Sequence, residues 1–186
     1  MAARVFHTTI LPVRLKIQEK PYSCGAASLK IVLEMLGKEI SEAWLMRVCK
    51  TDPEECTTAQ RLKRALKKLK VKFEEIVPAT IQDIEENVRS FRLCLVAYQA
   101  WARGGSELEA MEGGHYSIIF GFNETHFFIA DPNKRRGRVH RVWGVRTMGK
   151  GLFRTRWRDK DSDKDGVLRR WLIAVPLAQP NGVKRR

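Results

Sequence analysis

The sequence predicts an α+β fold, with helices first and strands later in the chain. Three observations predict it. Apolar residues recur at helical spacing early on, as in Leu29, Val32, Leu33 and Leu36, then Leu62, Leu66 and Leu69. Later apolar residues fall in strand-length runs, at Arg92–Gln99, His115–Phe122, His126–Asp131 and Trp171–Val175. No internal repeat and no linker divides the 186 residues, so one domain is expected over 1–186, with a core of about 10–176 and a basic tail at 179–186.

Taken in order, Thr8–Ile17 alternates loosely and reads as an extended segment. Cys24–Leu36 reads as a helix closed by Gly37 in a left-handed conformation. Ser41–Cys49 and Thr58–Leu69 are further helices, with Ser41 and Thr58 as N-caps. Val71–Val77 is a short strand and Thr80–Ser90 a short helix capped by Thr80. Arg92–Gln99 reads as a buried strand, and the glycine-rich Trp101–Gly114 as a loop bordering a cleft, a candidate gate. His115–Phe122 and His126–Asp131 form a hairpin across Asn123-Glu124-Thr125. Pro132–Arg138 reads as a turn, Val139–Val145 as a strand, Leu152–Trp157 as a helical turn and Trp171–Val175 as a last strand.

Composition excludes several classes. With 44% hydrophobic and 30% charged residues the chain can fold around a core. Its longest apolar runs are strand-sized, shorter than the ~18–20 residues that span a bilayer, and its first residues lack a signal-peptide core. Four irregularly spaced cysteines make no disulfide framework, which suits a reducing, cytoplasmic setting. The net charge is +14 and lopsided: residues 1–132 hold 18 basic and 17 acidic side chains, whereas 133–186 hold 17 and 4. The basic turn Lys134-Arg135-Arg136-Gly137-Arg138 starts just after Asp131, where it would steer an acidic peptide towards the cleft. Nucleic acid is the second-choice partner, since no recognition motif accompanies the basic residues.

Four residues carry the chemistry. Cys24 opens a helix, where N–H groups and the macrodipole favour a thiolate, and the small Gly25 and Ala26 leave room for a substrate backbone. Gln18, six residues earlier, has an amide that can point at an oxyanion beside the Cys24 N–H. Pairing Phe122 with Thr125 or His126 sets His115 opposite Pro132 or Asn133, so the Asp131 carboxylate arrives beside the imidazole. That is how a carboxylate orients a histidine.

The segment Gln18-Glu-Lys-Pro-Tyr-Ser-Cys24-Gly25-Ala26-Ala27-Ser28-Leu29, with Gly114-His115-Tyr116-Ser117 and Ile129-Ala130-Asp131-Pro132, resembles the three motifs of the bacteriocin-processing, double-glycine leader peptidases. Phe153-x-x-x-Trp157 is similar to an aromatic segment that follows in many members. The resemblance implies a papain-like cysteine peptidase fold, with an N-terminal helical half packed on a C-terminal antiparallel sheet. It implies hydrolysis of a peptide bond through a Cys24 thioester, with His115 as general base and acid, Asp131 orienting it and Gln18 in the oxyanion hole. No cofactor is implied. The transporter domains of the best-known members do not follow here, so a stand-alone relative is expected. Two alternatives share the fold: an acyltransferase using the same thioester, and a silent binding module using the basic surface.

The remaining signals point elsewhere. Asp161-Ser-Asp163-Lys-Asp165-Gly166 matches half of a calcium loop, but Leu172 stands where a bidentate Glu is required, so a solvated turn is expected and no metal. Cys49 and Cys56 lack zinc-ligand spacing, and Cys94 reads as core.

Overall fold

A computed structural model of the chain describes residues 8–102, 105–133, 144–161 and 166–178. The helical half holds α1 (Cys24–Met35), α2 (Glu42–Cys49), α3 (Ala59–Lys68) and α4 (Ile81–Arg89). The strands are β1 (Thr9–Ile10), β2 (Glu74–Ile76), β3 (Arg92–Gln99), β4 (Gly114–Phe122), β5 (His126–Ala130), β6 (Val145–Gly149), β7 (Arg158–Asp161), β8 (Gly166–Arg169) and β9 (Leu172–Pro176). A five-residue α5 (Ser106–Ala110) lies in the loop before β4, and α6 (Lys150–Arg156) follows β6. The result is the expected α+β fold.

Local chemistry sets most of these bounds. Ser41, Thr58 and Thr80 accept from the backbone N–H groups of Trp44, Arg61 and Asp83, and Asp83 completes a capping box. α1 ends at Leu36 and Gly37, the latter at φ +72. Leu29, Ile31, Val32 and Leu33 of α1 are fully buried, each side chain worth about 1.5–3 kcal/mol. α1 packs on β4 and α2, and α4 on β3.

The main sheet runs β2-β9-β3-β4-β5-β6, every pair antiparallel, with β1 pairing the far end of β4. The extended segment expected over Thr8–Ile17 is a strand only at Thr9–Ile10, because β4 offers it a free edge only beyond β3. The β4–β5 hairpin begins one residue off the expected pairing, at Phe122↔Phe127. A bulge between Ile119 and Gly121 absorbs the slip, and Ile118↔Ala130 restores the register that carries His115 towards Asp131. β6 starts at Val145, the last residue of the strand expected over Val139–Val145, whose residues 139–143 lie outside the described ones. The Lys134–Arg138 turn, residues 162–165 of the Asp-rich segment and the tail at 179–186 also lie outside them. Arg158–Asp161 and Gly166–Arg169 pair as β7 and β8 on either side of the Asp-rich segment that was expected to be a turn. Among the described residues no helix is long and apolar enough to cross a membrane.

Candidate active site

The N-terminus of α1, the start of β4 and the end of β5 meet at one cleft. Cys24 lies in the first turn of α1, is 7% exposed and lines that cleft. His115, 1% exposed, stands one residue into β4. Asp131, also 1% exposed, follows β5. His115 Nε2 and Asp131 Oδ1 are 2.7 Å apart. Nδ1, which has no hydrogen-bond partner among the described residues, is the ring nitrogen left to face the Cys24 thiol, with which the imidazole interacts. Trp101 covers the imidazole with ring centroids 4.9 Å apart, and the Tyr98 ring stands edge-on at 6.2 Å. Behind them Phe153 packs on Tyr98, Phe127 and Trp157, so the aromatic pair Phe153 and Trp157 supports the site from the core.

The electrostatics favour an ion pair. Burial works against a charged His115, but its hydrogen bond to Asp131 and its interactions with Cys24 and the Asp131 charge outweigh that and hold its pKa at about 9. Burial also works against an ionised Asp131, yet the hydrogen bond and charge of His115, the Asn133 amide and Arg146 leave its carboxyl below the ordinary value. Asp131 Oδ1 accepts from Asn133 N at 2.9 Å, and Arg146 Nη1 lies 3.9 Å from Oδ2. A thiol, an imidazole held in one orientation and a buried carboxylate are what nucleophilic attack by sulfur needs.

Gln18 departs from expectation. Its Nε2 donates both protons, to the Lys20 carbonyl at 2.7 Å and the Pro21 carbonyl at 2.9 Å. In this conformation it braces the turn that leads into α1, and donating to an oxyanion requires it to release one carbonyl. Its backbone N–H bonds the Pro132 carbonyl at 2.8 Å, which ties the approach to Cys24 to the segment carrying Asp131. The small size of Gly25 also has a different reason from room for substrate. A Cβ there would come within 2.7 Å of Thr57 Cβ, so Gly25 makes space for the loop before α3.

Sequence reasoning missed two carboxylates. Glu42, in the first turn of α2, is fully buried and accepts from Glu19 N at 2.8 Å and from Ser23 Oγ, clamping the turn before Cys24. Its place directly after the Ser41 cap resembles any helix-opening acid, so nothing local marks it. Removing it leaves the Glu19 N–H without its acceptor, while the Ser23 hydroxyl keeps the Lys20 carbonyl, and Glu42→Ala is expected to cost roughly 1–3 kcal/mol, measurable as a lower urea midpoint at unchanged m-value. The second is Asp159 of β7. It is 9% exposed and sits against Gly114, where any Cβ would collide with its carboxylate. Gln99, fully buried, donates to Asp159 Oδ1 at 3.0 Å and accepts from Gly113 N at 2.9 Å. Gly113-Gly114 therefore serves close packing around Gln99 and Asp159, beyond loosening a loop. Burial pushes the Asp159 carboxyl up to about 7.

A cavity of about 380 Å³ opens beside Cys24, bounded by the Cys56–Thr58 loop on one side and by Gly114, Tyr116 and Asp159 on the other. Its lining carries Glu54, Glu55, Glu112 and Asp159 against Lys160. Among the described residues that lining is acidic, while the basic turn Lys134–Arg138, from which an acidic substrate was expected, lies outside them. Among the described residues no group of three metal-ligating side chains gathers.

The model of the peptidase C39 family matches residues 13–142. No curated protein matches the chain in sequence. Among solved structures, a C39-like peptidase from Bacillus anthracis superposes with a TM-score of 0.67 at 15% identity, covering 96% of this chain and 98% of its own. The peptidase domain of Streptococcus ComA, a bifunctional ABC transporter of a quorum-sensing pathway, gives 0.63 at 22% identity, covering 88% and 98%. A double-glycine-motif protease from an AMS/PCAT transporter, solved with its leader peptide, gives 0.59 at 16% identity, covering 90% and 94%. At these identities the likeness shows the shared papain-like fold.

Proposed function

This chain belongs to the peptidase C39 family, and on that premise we propose that it cuts a peptide bond by attack of Cys24, with His115 as the proton carrier and Asp131 as the group that orients it. The observation that carries the reading is the buried His115–Asp131 pair, 2.7 Å apart, beside a cysteine at a helix N-terminus. The Cys24 thiolate would attack the carbonyl carbon while the imidazolium keeps the proton. The tetrahedral oxyanion would form next to the amide end of α1, with the Cys24 N–H as one donor and Gln18 as a second once it releases a carbonyl. His115 would then protonate the leaving amine, and a thioester to Cys24 would remain until water, activated by His115, releases the acid. The substrate is a peptide or protein. Residues 10–176 would act as one unit, since the buried core draws on both the helical half and the sheet.

Two measurements on one sample test this. Incubated with a peptide library, the protein is expected to generate new N-termini detectable by mass spectrometry. Substoichiometric iodoacetamide is expected to label Cys24 well before Cys94, which is fully buried and whose thiol burial pushes far above its ordinary value, and cleavage is expected to fall in step with Cys24 labelling. Equal, slow labelling of the two cysteines together with no cleavage would sink the reading and leave a silent member of the family.

A further inference from the structure

The mechanism uses Cys24, His115 and Asp131 but leaves the acidic cavity beside them without a role. Asp159 spends one oxygen, Oδ1, on Gln99 Nε2 and the Lys160 amide. Its other oxygen, Oδ2, takes no hydrogen bond from any described residue, although the side chain is more than nine-tenths buried and its carboxylate lines the cavity against Gly114. That oxygen is not fully buried: it meets the cavity, so a cation arriving there would replace water on a carboxylate that packing has largely desolvated. Of the other acids, Glu55 is tied to Arg61 at 2.6 Å, while Glu54 and Glu112 are exposed on the rim and enter no ion pair among the described residues. Lys160 also borders the cavity, yet it forms no ion pair with a described residue, so the positive charge acting on Asp159 is that of His115, which leaves the carboxyl still raised by burial.

We propose that this wall is a subsite for a cationic side chain, a lysine or arginine of the peptide adjacent to the bond that is cut, with Asp159 as its specificity-determining carboxylate. The inference rests on the peptidase reading for the word substrate, since Cys24 shares the cavity and so fixes which part of the peptide lies there. The ammonium or guanidinium would take up the open Asp159 oxygen, and Glu54 and Glu112 at the rim would attract it on the way in. Gln99 acts as the positioning residue, holding Oδ1 so that Oδ2 faces the cavity. An ion pair formed at a nearly buried carboxylate is screened far less than one on the surface, so a single pair can govern selection. Burial raises the Asp159 carboxyl to about 7, a penalty that a cation in the cavity would offset.

The test uses acetylated, amidated peptides built on a sequence that the library shows to be cut. Lysine, norleucine or glutamate is placed at each of the two positions flanking the scissile bond on either side. Wild-type protein is expected to favour lysine over norleucine by about tenfold or more in kcat/KM at one position, the return on one partly desolvated ion pair, and to disfavour glutamate. Asp159→Asn should bring the lysine-to-norleucine ratio close to one. Should that variant fail to fold, the exposed pair Glu54→Gln with Glu112→Gln is expected to lower the ratio about threefold, through the loss of two rim charges. Cleavage with no lysine preference, or a ratio unmoved by these variants, would overturn the subsite and leave the peptidase reading standing. The reverse separation comes from calorimetry on Cys24→Ala protein. Asp159-dependent binding of lysine peptides by a chain whose wild type cuts nothing would uphold the subsite and remove the peptidase reading.

Discussion

Replacing Cys24 with alanine is expected to lower kcat/KM for any cleaved peptide by about 10⁵-fold or more, the scale on which losing a nucleophile removes the covalent route altogether. The fold should survive. Cys24 contributes one small side chain at the cleft end of α1, and the core of that helix is carried by Leu29, Ile31, Val32 and Leu33. Cys24→Ala should therefore keep the wild-type circular dichroism and unfold within about 1 kcal/mol of it, while peptide binding persists. The serine variant is the sharper control. A hydroxyl has the shape of the thiol but not its acidity, so Cys24→Ser should be almost as inactive as the alanine variant. Activity above a hundredth of wild type in either variant would move the nucleophile elsewhere.

The second large effect concerns the imidazole and its carboxylate. His115→Ala is expected to cost about 10⁴-fold, the upper range for a positioned acid–base group. Asp131→Ala should cost no more than that, up to about 10⁴-fold, because it removes the orienting group and leaves the proton carrier. Asp131→Asn keeps an acceptor for His115 Nε2 and should fall least of the three. The charge difference shows in titration. His115 has a pKa of about 9 against an ordinary 6.5, held up by its hydrogen bond to Asp131 and its interactions with Cys24 and the Asp131 charge against the opposing effect of burial. Without the Asp131 charge that opposing effect gains weight, so the His115 pKa in Asp131→Asn, read by NMR, should fall. An unchanged pKa would mean that Asp131 is not what sustains the imidazolium.

The same pair sets a pH window for stability. A histidine whose folded pKa exceeds its unfolded value binds more protons in the folded state, so its stabilising contribution is complete below about pH 6.5 and is lost as pH rises through about 9. Asp131, lowered from 3.8, works the other way: its contribution is present above the unfolded value and disappears as pH falls through the lower folded one. Asp159, raised to about 7, binds its proton more tightly when folded, so stability drains away between about pH 4 and 7 on its account.

What the sequence determined by itself was whatever rests on neighbours along the chain. Ser41, Thr58 and Thr80 cap helices through bonds three residues long, and Asn123-Glu124-Thr125 marked the hairpin that carries His115 towards Asp131, although its Phe122↔Phe127 start and its bulge were not legible. Cys24 was readable as special because a helix end is a local event. Tertiary structure alone decided the rest. Gln99 reaches Asp159 across 60 residues, and Ser23 reaches Glu42 across 19, so no window along the chain contains either pair. Gly25 looked like space for a substrate until Thr57 was placed against it. The sign of the cleft could not follow from a net charge of +14, because a field near a reacting atom depends on which few charges are close and poorly solvated. Asp159, set among arginines and lysines in the sequence, became an acidic wall only when β7 folded back over Gly114 and packing took it out of water.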